Sequence, residues 1–168
     1  MYLALKLLHV GAVVMFLGNI ITGLFWHAHA ARTRDPRLLH HAMDGILKSD
    51  RWITNPAAAT IAVTGVLTAL VGGLPLLRTH WIAGGIALFI ASGIVFVARV
   101  TPLQKQLRDL ARAGLESGTF DHPRYQALAR QWELWGAVAV ILSAGDRTRA
   151  GPTAPAQGLF LVRVTYDL

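Results

Sequence analysis

Long uncharged stretches dominate the hydrophobic pattern of this chain. Residues 7–26, 53–77 and 81–98 contain no Asp, Glu, Lys or Arg, and a helix needs about 20 such residues to cross a bilayer. A fourth run opens at Trp132, but its apolar part, residues 134–144, would rise about 16 Å against a core of roughly 30 Å. We therefore predict an all-α integral membrane four-helix bundle over residues 1–144. It has three full spans and a shortened fourth, at about residues 3–26, 53–77, 81–100 and 132–144.

Between the spans, capping signals and helical periodicity predict short amphipathic helices. Asp35 followed by Pro36 is typical of a helix start, and apolar side chains then recur at helical spacing through residue 47. We expect this helix to lie in the headgroup region. The same logic predicts that span two begins at Asn55-Pro56 and that a second amphipathic helix begins at Thr101-Pro102. A further helix start is predicted near residue 121.

Basic side chains are concentrated in two of the three connections. The formal net charge is +7, which in a soluble protein would suggest a nucleic-acid partner. Here five Lys or Arg lie in residues 27–51 and five in residues 101–131, whereas the turn between spans two and three has only Arg78. By the positive-inside rule, the two basic loops are cytoplasmic. We predict a multi-pass protein of the cell membrane, with its N-terminus outside and no nucleic-acid partner.

Small side chains form a stripe along span one. Ala4, Gly11 and Gly18 are seven residues apart, so they share one face of a helix. Such stripes let another helix approach closely. We therefore expect the three full spans to pack together. Beyond the lipid bilayer, the expected partners are another membrane protein or a second copy of the chain.

His9 is the polar side chain in the spans that most suggests chemistry, because ionisable groups are costly in a membrane. The predicted topology places His80 at the same outer face. Two imidazoles there could ligate haem b or copper, the ligand chemistry that a chain without Cys offers on that side. The alternative is that His9 hydrogen-bonds a neighbouring carbonyl or hydroxyl group.

A second histidine candidate lies on the first amphipathic helix. His40 and Asp44 are four residues apart and could bind a divalent metal ion. No established metal motif surrounds them, and simple solvation is the alternative. Asn19 is interpreted as an interhelical hydrogen-bonding residue. None of the three full predicted spans contains Asp or Glu, which weakens proton-coupled transport as a function.

The last 24 residues, 145–168, differ in composition from the rest of the chain. Gly, Pro, Thr and Arg replace the apolar pattern. Two interpretations remain open: a disordered terminus, or an altered reading frame that replaced the second half of span four.

Several short segments, in order, resemble a family of small membrane proteins known as domain of unknown function 2269. They are LKLLHVG at residues 5–11, Trp26, ARTRDP at 31–36, DRWITNP at 50–56, TG at 64–65, QKQLRDLA at 104–111 and RQW at 130–132. The resemblance covers approximately residues 2–144. The family is distantly similar to the four-helix group of copper-resistance protein D and the membrane protoporphyrinogen oxidase.

The distant resemblance implies a role for His9, because that group also places a Leu-His pair early in its first span. It does not extend to the oxidase's other functional residues, so no catalytic residue is assigned. Three hypotheses follow. The first is an accessory or structural bundle, the second is a haem- or copper-binding protein that uses His9, and the third is a porphyrin-oxidising enzyme.

Overall fold

The computed structural model describes residues 1–144, in which every regular element is a helix. In chain order these are α1 (Tyr2–Thr33), α2 (Pro36–Ser49), α3 (Asn55–Val71), α4 (His80–Val95), α5 (Thr101–Ser117) and α6 (His122–Ala144). Three continuous stretches are long and apolar enough to cross a membrane: Tyr2–Thr33, Pro36–Val71 and His80–Ser117. As far as the described residues show, α6 is not long and apolar enough to cross a membrane, in keeping with a shortened fourth span. The tail, residues 145–168, lies outside the described residues.

Two π-helical segments make single long helices where the sequence suggested breaks. The first π segment, Asp50–Thr54, joins α2 to α3, and the second π segment, Phe96–Val100, joins α4 to α5. The helices α3 and α5 do begin at the predicted Asn55-Pro56 and Thr101-Pro102. The sequence did not predict that each of them continues the preceding helix without a break. Each proline follows a widened turn closed by an i to i−5 bond, in which Asn55 N–H donates to Asp50 O and Thr101 N–H to Phe96 O. Proline lacks an N–H and crowds the preceding turn, and the wider turn accommodates it.

Other ends of the helices follow local signals. Asp35 accepts the Arg37 backbone N–H at 2.8 Å at the start of α2, and Asp121 accepts the Arg124 N–H at 3.0 Å at the start of α6. Both caps confirm predicted starts. Span two was predicted to reach residue 77, but α3 ends at Val71 and the chain turns through Gly73, whose φ is 70°. Glycine adopts this left-handed conformation at little cost.

The main core lies at one end of the molecule, where α2 and α5 pack against each other and against the adjoining ends of α1 and α6. We call this the amphipathic end. Its most buried members are Leu39 and Met43 on α2, Leu107 and Ala111 on α5, and Tyr125 on α6. The apolar face of α2 is thus covered by protein. The predicted location of α2 in the lipid headgroup region stays a prediction.

At the other end, which we call the apolar end, the helices associate as two pairs. α1 packs along α3, and α4 packs along α6. Within the described residues, no contact of comparable extent joins α1 or α3 to α4. In the second pair, the buried Ser92 hydroxyl donates to the Ala139 carbonyl at 2.7 Å. The two pairs are therefore held together mainly from the amphipathic end.

Candidate functional site

A buried polar cluster, which we call the Asp50 cluster, lies where the two ends meet. It joins Asn19 of α1, Asp50 and Thr54 of the first π segment, and Gln104 of α5. Thr54 Oγ1 donates to Asp50 Oδ1 at 2.8 Å, Gln104 Nε2 donates to Asp50 Oδ2 at 2.7 Å, and Asn19 Nδ2 donates to Thr54 Oγ1 at 2.7 Å. The cluster therefore ties three long helices to one carboxylate.

The donors of this cluster are arranged around the carboxyl group of Asp50. Asp50 is 7% exposed and Gln104 is 2% exposed. Among the described residues, no Lys, Arg or His nitrogen lies within 4 Å of the Asp50 carboxylate. A buried carboxylate is costly unless hydrogen bonds or an opposite charge compensate it. Gln104 Oε1 is also buried and has no hydrogen-bond partner among those residues.

The sequence identified only part of this cluster. Asn19 was predicted to make interhelical hydrogen bonds, and its bond to Thr54 confirms this. Asp50 and Gln104 were not singled out, because span two was taken to begin after the acidic residue. A usable signal was the i, i+4 spacing of Asp50 and Thr54 ahead of Pro56, which places a carboxylate and a hydroxyl on one helix face.

His9 is held against α3 at the apolar end. Its Nδ1 lies 3.1 Å from the Ile61 carbonyl oxygen and 3.0 Å from Thr64 Oγ1. A carbonyl oxygen only accepts hydrogen bonds, so this contact assigns the proton to Nδ1 and leaves a lone pair on Nε2. Gly65 lies beside the ring, and a Cβ there would come within 3.2 Å of His9 Cε1. The α1–α3 contact is thus shaped around this imidazole.

The structure does not bring His80 to His9. His80 is the exposed first residue of α4, which packs along α6, whereas His9 faces α3. No hydrogen bond or ring contact joins the two imidazoles. In residues 1–144 there is no group of three or more His, Cys, Asp or Glu side chains spaced to hold a metal ion. The ligand role of His9 stays a prediction, and the contact of its Nδ1 with the Ile61 carbonyl is of a kind that metal-binding imidazoles also make.

His40 and Asp44 each have another partner. His40 Nδ1 lies 3.3 Å from the Arg108 carbonyl oxygen on α5, and Asp44 accepts the Lys48 ammonium at 2.7 Å. The His40 contact fastens α2 to α5, and the Lys48 contact, within α2, neutralises the Asp44 carboxylate. The structure gives the pair a packing role, and the proposed divalent metal site remains a prediction.

A small cavity of about 210 Å³ lies between α1 and α6 at the amphipathic end. Its wall includes His27, which is 2% exposed. The sequence placed His27 among the histidines of the cytoplasmic face but gave it no role. His27 Nε2 lies 3.2 Å from the Tyr125 hydroxyl, and its Nδ1 lies 3.8 Å from a Glu133 carboxylate oxygen. Burial raises the pKa of Tyr125 above its ordinary value, so the phenol keeps its proton and can donate to His27. The contact between His27 and Tyr125 fastens α1 to α6. The cavity is smaller than most ligand pockets, which measure roughly 300–1,000 Å³.

Comparison with known proteins agrees with the apolar, membrane-spanning character of these helices. The family described as "Predicted integral membrane protein (DUF2269)" matches residues 3–145. The chain belongs to this family. This DUF2269 protein is accordingly an integral membrane protein, and the family match stops where the composition changes.

Two other comparisons add little to this assignment. A stretch of 64 residues is 42% identical to tRNA pseudouridine synthase A of Hyphomonas neptunium. It covers 38% of this DUF2269 protein and only 22% of the synthase, so it carries no conclusion about RNA modification. No solved structure matches the chain.

Proposed function

We propose that this protein is an accessory membrane protein that binds a transmembrane helix of another membrane protein through α1. In this proposal three full spans and the shortened fourth span in α6 form one bundle in the cell membrane, anchored by the amphipathic helices α2 and α5. The observation that carries it is the small-residue stripe of α1, Ala4, Gly11 and Gly18. These residues are exposed, and a Cβ added at Gly11 or Gly18 would meet no other atom within 4 Å.

The stripe is distinct from the face of α1 that packs inside the chain. Residues on the packing face recur three to seven apart, and these are His9, Ala12, Asn19, Gly23, His27 and Ala30. The stripe lies on another side of the same helix. Small residues that let two backbones approach drive association in membranes, where burial of apolar surface gives no advantage over lipid. This supports an intermolecular use of the stripe.

Co-purification with a matched pair of variants tests this proposal. The protein is cross-linked in membranes and purified, and the associated membrane protein is quantified by mass spectrometry. Gly18→Ile should reduce its recovery several-fold, because the side chain fills the approach surface. Leu17→Val, on an exposed side of the same helix about 100° from Gly18, and His9→Ala should leave recovery unchanged. Equal recovery from Gly18→Ile and the wild type, or capture of only a second copy of the chain, would contradict the proposal.

The proposed orientation has the N-terminus and the turn after α3 outside, with both basic loops in the cytoplasm. The distribution of Lys and Arg supports it. A reporter fused after Leu77 should report the outside, and one fused after Gln104 the inside. The reverse pattern would overturn the orientation.

A second candidate function is the binding of haem or copper by His9. The assignment of the proton to Nδ1 favours it, since Nε2 then has a lone pair for a metal. The detergent-purified protein should give a Soret band or contain copper, and His9→Ala should lose either signal. His29→Ala, an exposed histidine of the same helix, is the matched control. Absence of both signals from the wild type would remove this candidate.

A further inference from the structure

The Asp50 cluster contains two buried oxygen-bearing groups, the Asp50 carboxylate and the Gln104 side-chain carbonyl, with no positively charged partner. The Asp50 carboxylate accepts hydrogen bonds from Thr54 and Gln104 and a longer one, 3.4 Å, from Asn19 Nδ2. No basic nitrogen of the described residues lies within 4 Å of it. Beside it, the Gln104 side chain is 98% buried (2% exposed), and its carbonyl oxygen Oε1 has no donor. Both groups are oxygens that lack a positive partner.

From this juxtaposition we propose that the Asp50 cluster binds one monovalent metal cation, such as Na⁺, between the Asp50 carboxylate and Gln104 Oε1. Thr54 Oγ1, already bonded to Asp50, would be a further oxygen close to the ion. Hard cations prefer oxygen ligands from carboxylates and carbonyls. Membrane proteins hold Na⁺ with similar ligands where helices are locally unwound. The first π segment, which contributes Asp50 and Thr54, is such an irregular turn.

The charge and the number of ligands favour this cation over other species. One carboxylate balances one positive charge, whereas a divalent ion would leave a net charge buried. A proton on Asp50 would neutralise the carboxylate but would leave the Gln104 carbonyl without a partner. A water molecule could donate to that carbonyl but would not neutralise the charge. A monovalent metal ion meets both needs. This inference is independent of the partner proposed for α1.

Thermal unfolding of the full chain in detergent tests the proposal. The apparent unfolding temperature is measured in increasing NaCl, with choline chloride holding the ionic strength constant, and KCl is run in parallel. If Na⁺ reaches about ten times its Kd, the unfolding temperature should rise by roughly 3–6 °C. Asp50→Asn should lose this rise, because the neutral amide no longer attracts a cation.

Two further variants keep the test decisive if Asp50→Asn fails to fold. Gln104→Leu should lower the apparent Na⁺ affinity at least several-fold while leaving Asp50 in place. Asp44→Asn, which removes a carboxylate paired with Lys48 on α2, should keep the full response to Na⁺. The proposal is overturned if choline and Na⁺ give the same unfolding temperature for the wild type, which would indicate a buried water or proton only. It is also overturned if Gln104→Leu retains the wild-type affinity.

Discussion

Replacing Thr54 with valine isolates the contribution of the Asp50 cluster to stability. Valine has nearly the same shape as threonine, so Thr54→Val removes the hydroxyl with little change in packing. Two hydrogen bonds disappear: the one donated to Asp50 Oδ1 at 2.8 Å and the one accepted from Asn19 Nδ2 at 2.7 Å. Thr54 is 3% exposed, so water cannot easily replace them.

The expected loss follows from the type of each bond. A bond to a charged group contributes about 1.5–3 kcal/mol and a neutral one about 0.5–1.5 kcal/mol. Asn19 keeps only longer contacts of 3.3 and 3.4 Å to Ser49 and Asp50. We therefore expect Thr54→Val to lower the free energy of unfolding by about 2–4 kcal/mol, which corresponds to a fall of roughly 5–12 °C in the unfolding temperature.

The assay is thermal unfolding in detergent, followed by circular dichroism and tryptophan fluorescence. Thr60→Val is the matched control, because that hydroxyl donates only within its own helix, to the Pro56 carbonyl at 2.9 Å. Its loss should stay below about 0.5 kcal/mol. Combining Thr54→Val with Asp50→Asn should give less than the sum of the single losses, because the two side chains share a bond. If the unfolding temperatures of Thr54→Val and Thr60→Val differ by less than about 1 °C, the two hydrogen bonds of Thr54 do not stabilise the protein as predicted.

Three other substitutions examine separate contacts. Gly65→Val should loosen the α1–α3 pair at a cost of about 1–3 kcal/mol, since even a Cβ would lie 3.2 Å from the His9 ring; Gly84→Val, with open space around it, should cost measurably less in the same unfolding assay. Met43→Ala removes a fully buried side chain of the core and should cost about 2–5 kcal/mol, so a loss under 1 kcal/mol would argue against that core. Because burial raises the pKa of Tyr125, the folded protein keeps this proton above pH of about 10 while the unfolded chain loses it, so stability should fall as pH rises there. Tyr125→Phe should show a smaller fall in alkaline unfolding titrations, and an identical pH profile would contradict the assignment.

The sequence contained the local part of this architecture. Uncharged runs identify the long apolar helices, because bilayer thickness sets their length. The caps Asp35 and Asp121 mark helix starts through bonds to a backbone N–H two or three residues away. These signals act over a few residues or along one helix, so they can be read without knowing how the helices pack.

The sequence could not show that the helices continue past Pro56 and Pro102. Pro56 and Pro102 look the same at the start of a helix as after a widened turn, and only the bonding of Asp50 O and Phe96 O distinguishes the two cases. Taking Pro56 for a start hid Asp50 from the search for acidic residues within helices.

Long-range contacts of the candidate sites were also out of reach. Gln104 reaches Asp50 across 54 positions of sequence, and His9 reaches Thr64 across 55. Such pairs depend on which helices pack together and in which register. The predicted meeting of His9 and His80 had the same weakness, since it assumed that α4 lies beside α1.

We propose that α1 contacts a transmembrane helix of another protein along its small-residue stripe. The chain contains no Cys, so single cysteines can be introduced without removing native ones, and cross-linking in native membranes can be scanned along the helix. We predict cross-links to a partner membrane protein from cysteines at Ala4, Gly11 and Gly18. Cysteines at the equally spaced, exposed positions Leu3, Val10 and Leu17, which lie about 100° around the helix from the stripe, should give none. Equal cross-linking from both sets, or none from the stripe, would contradict the account.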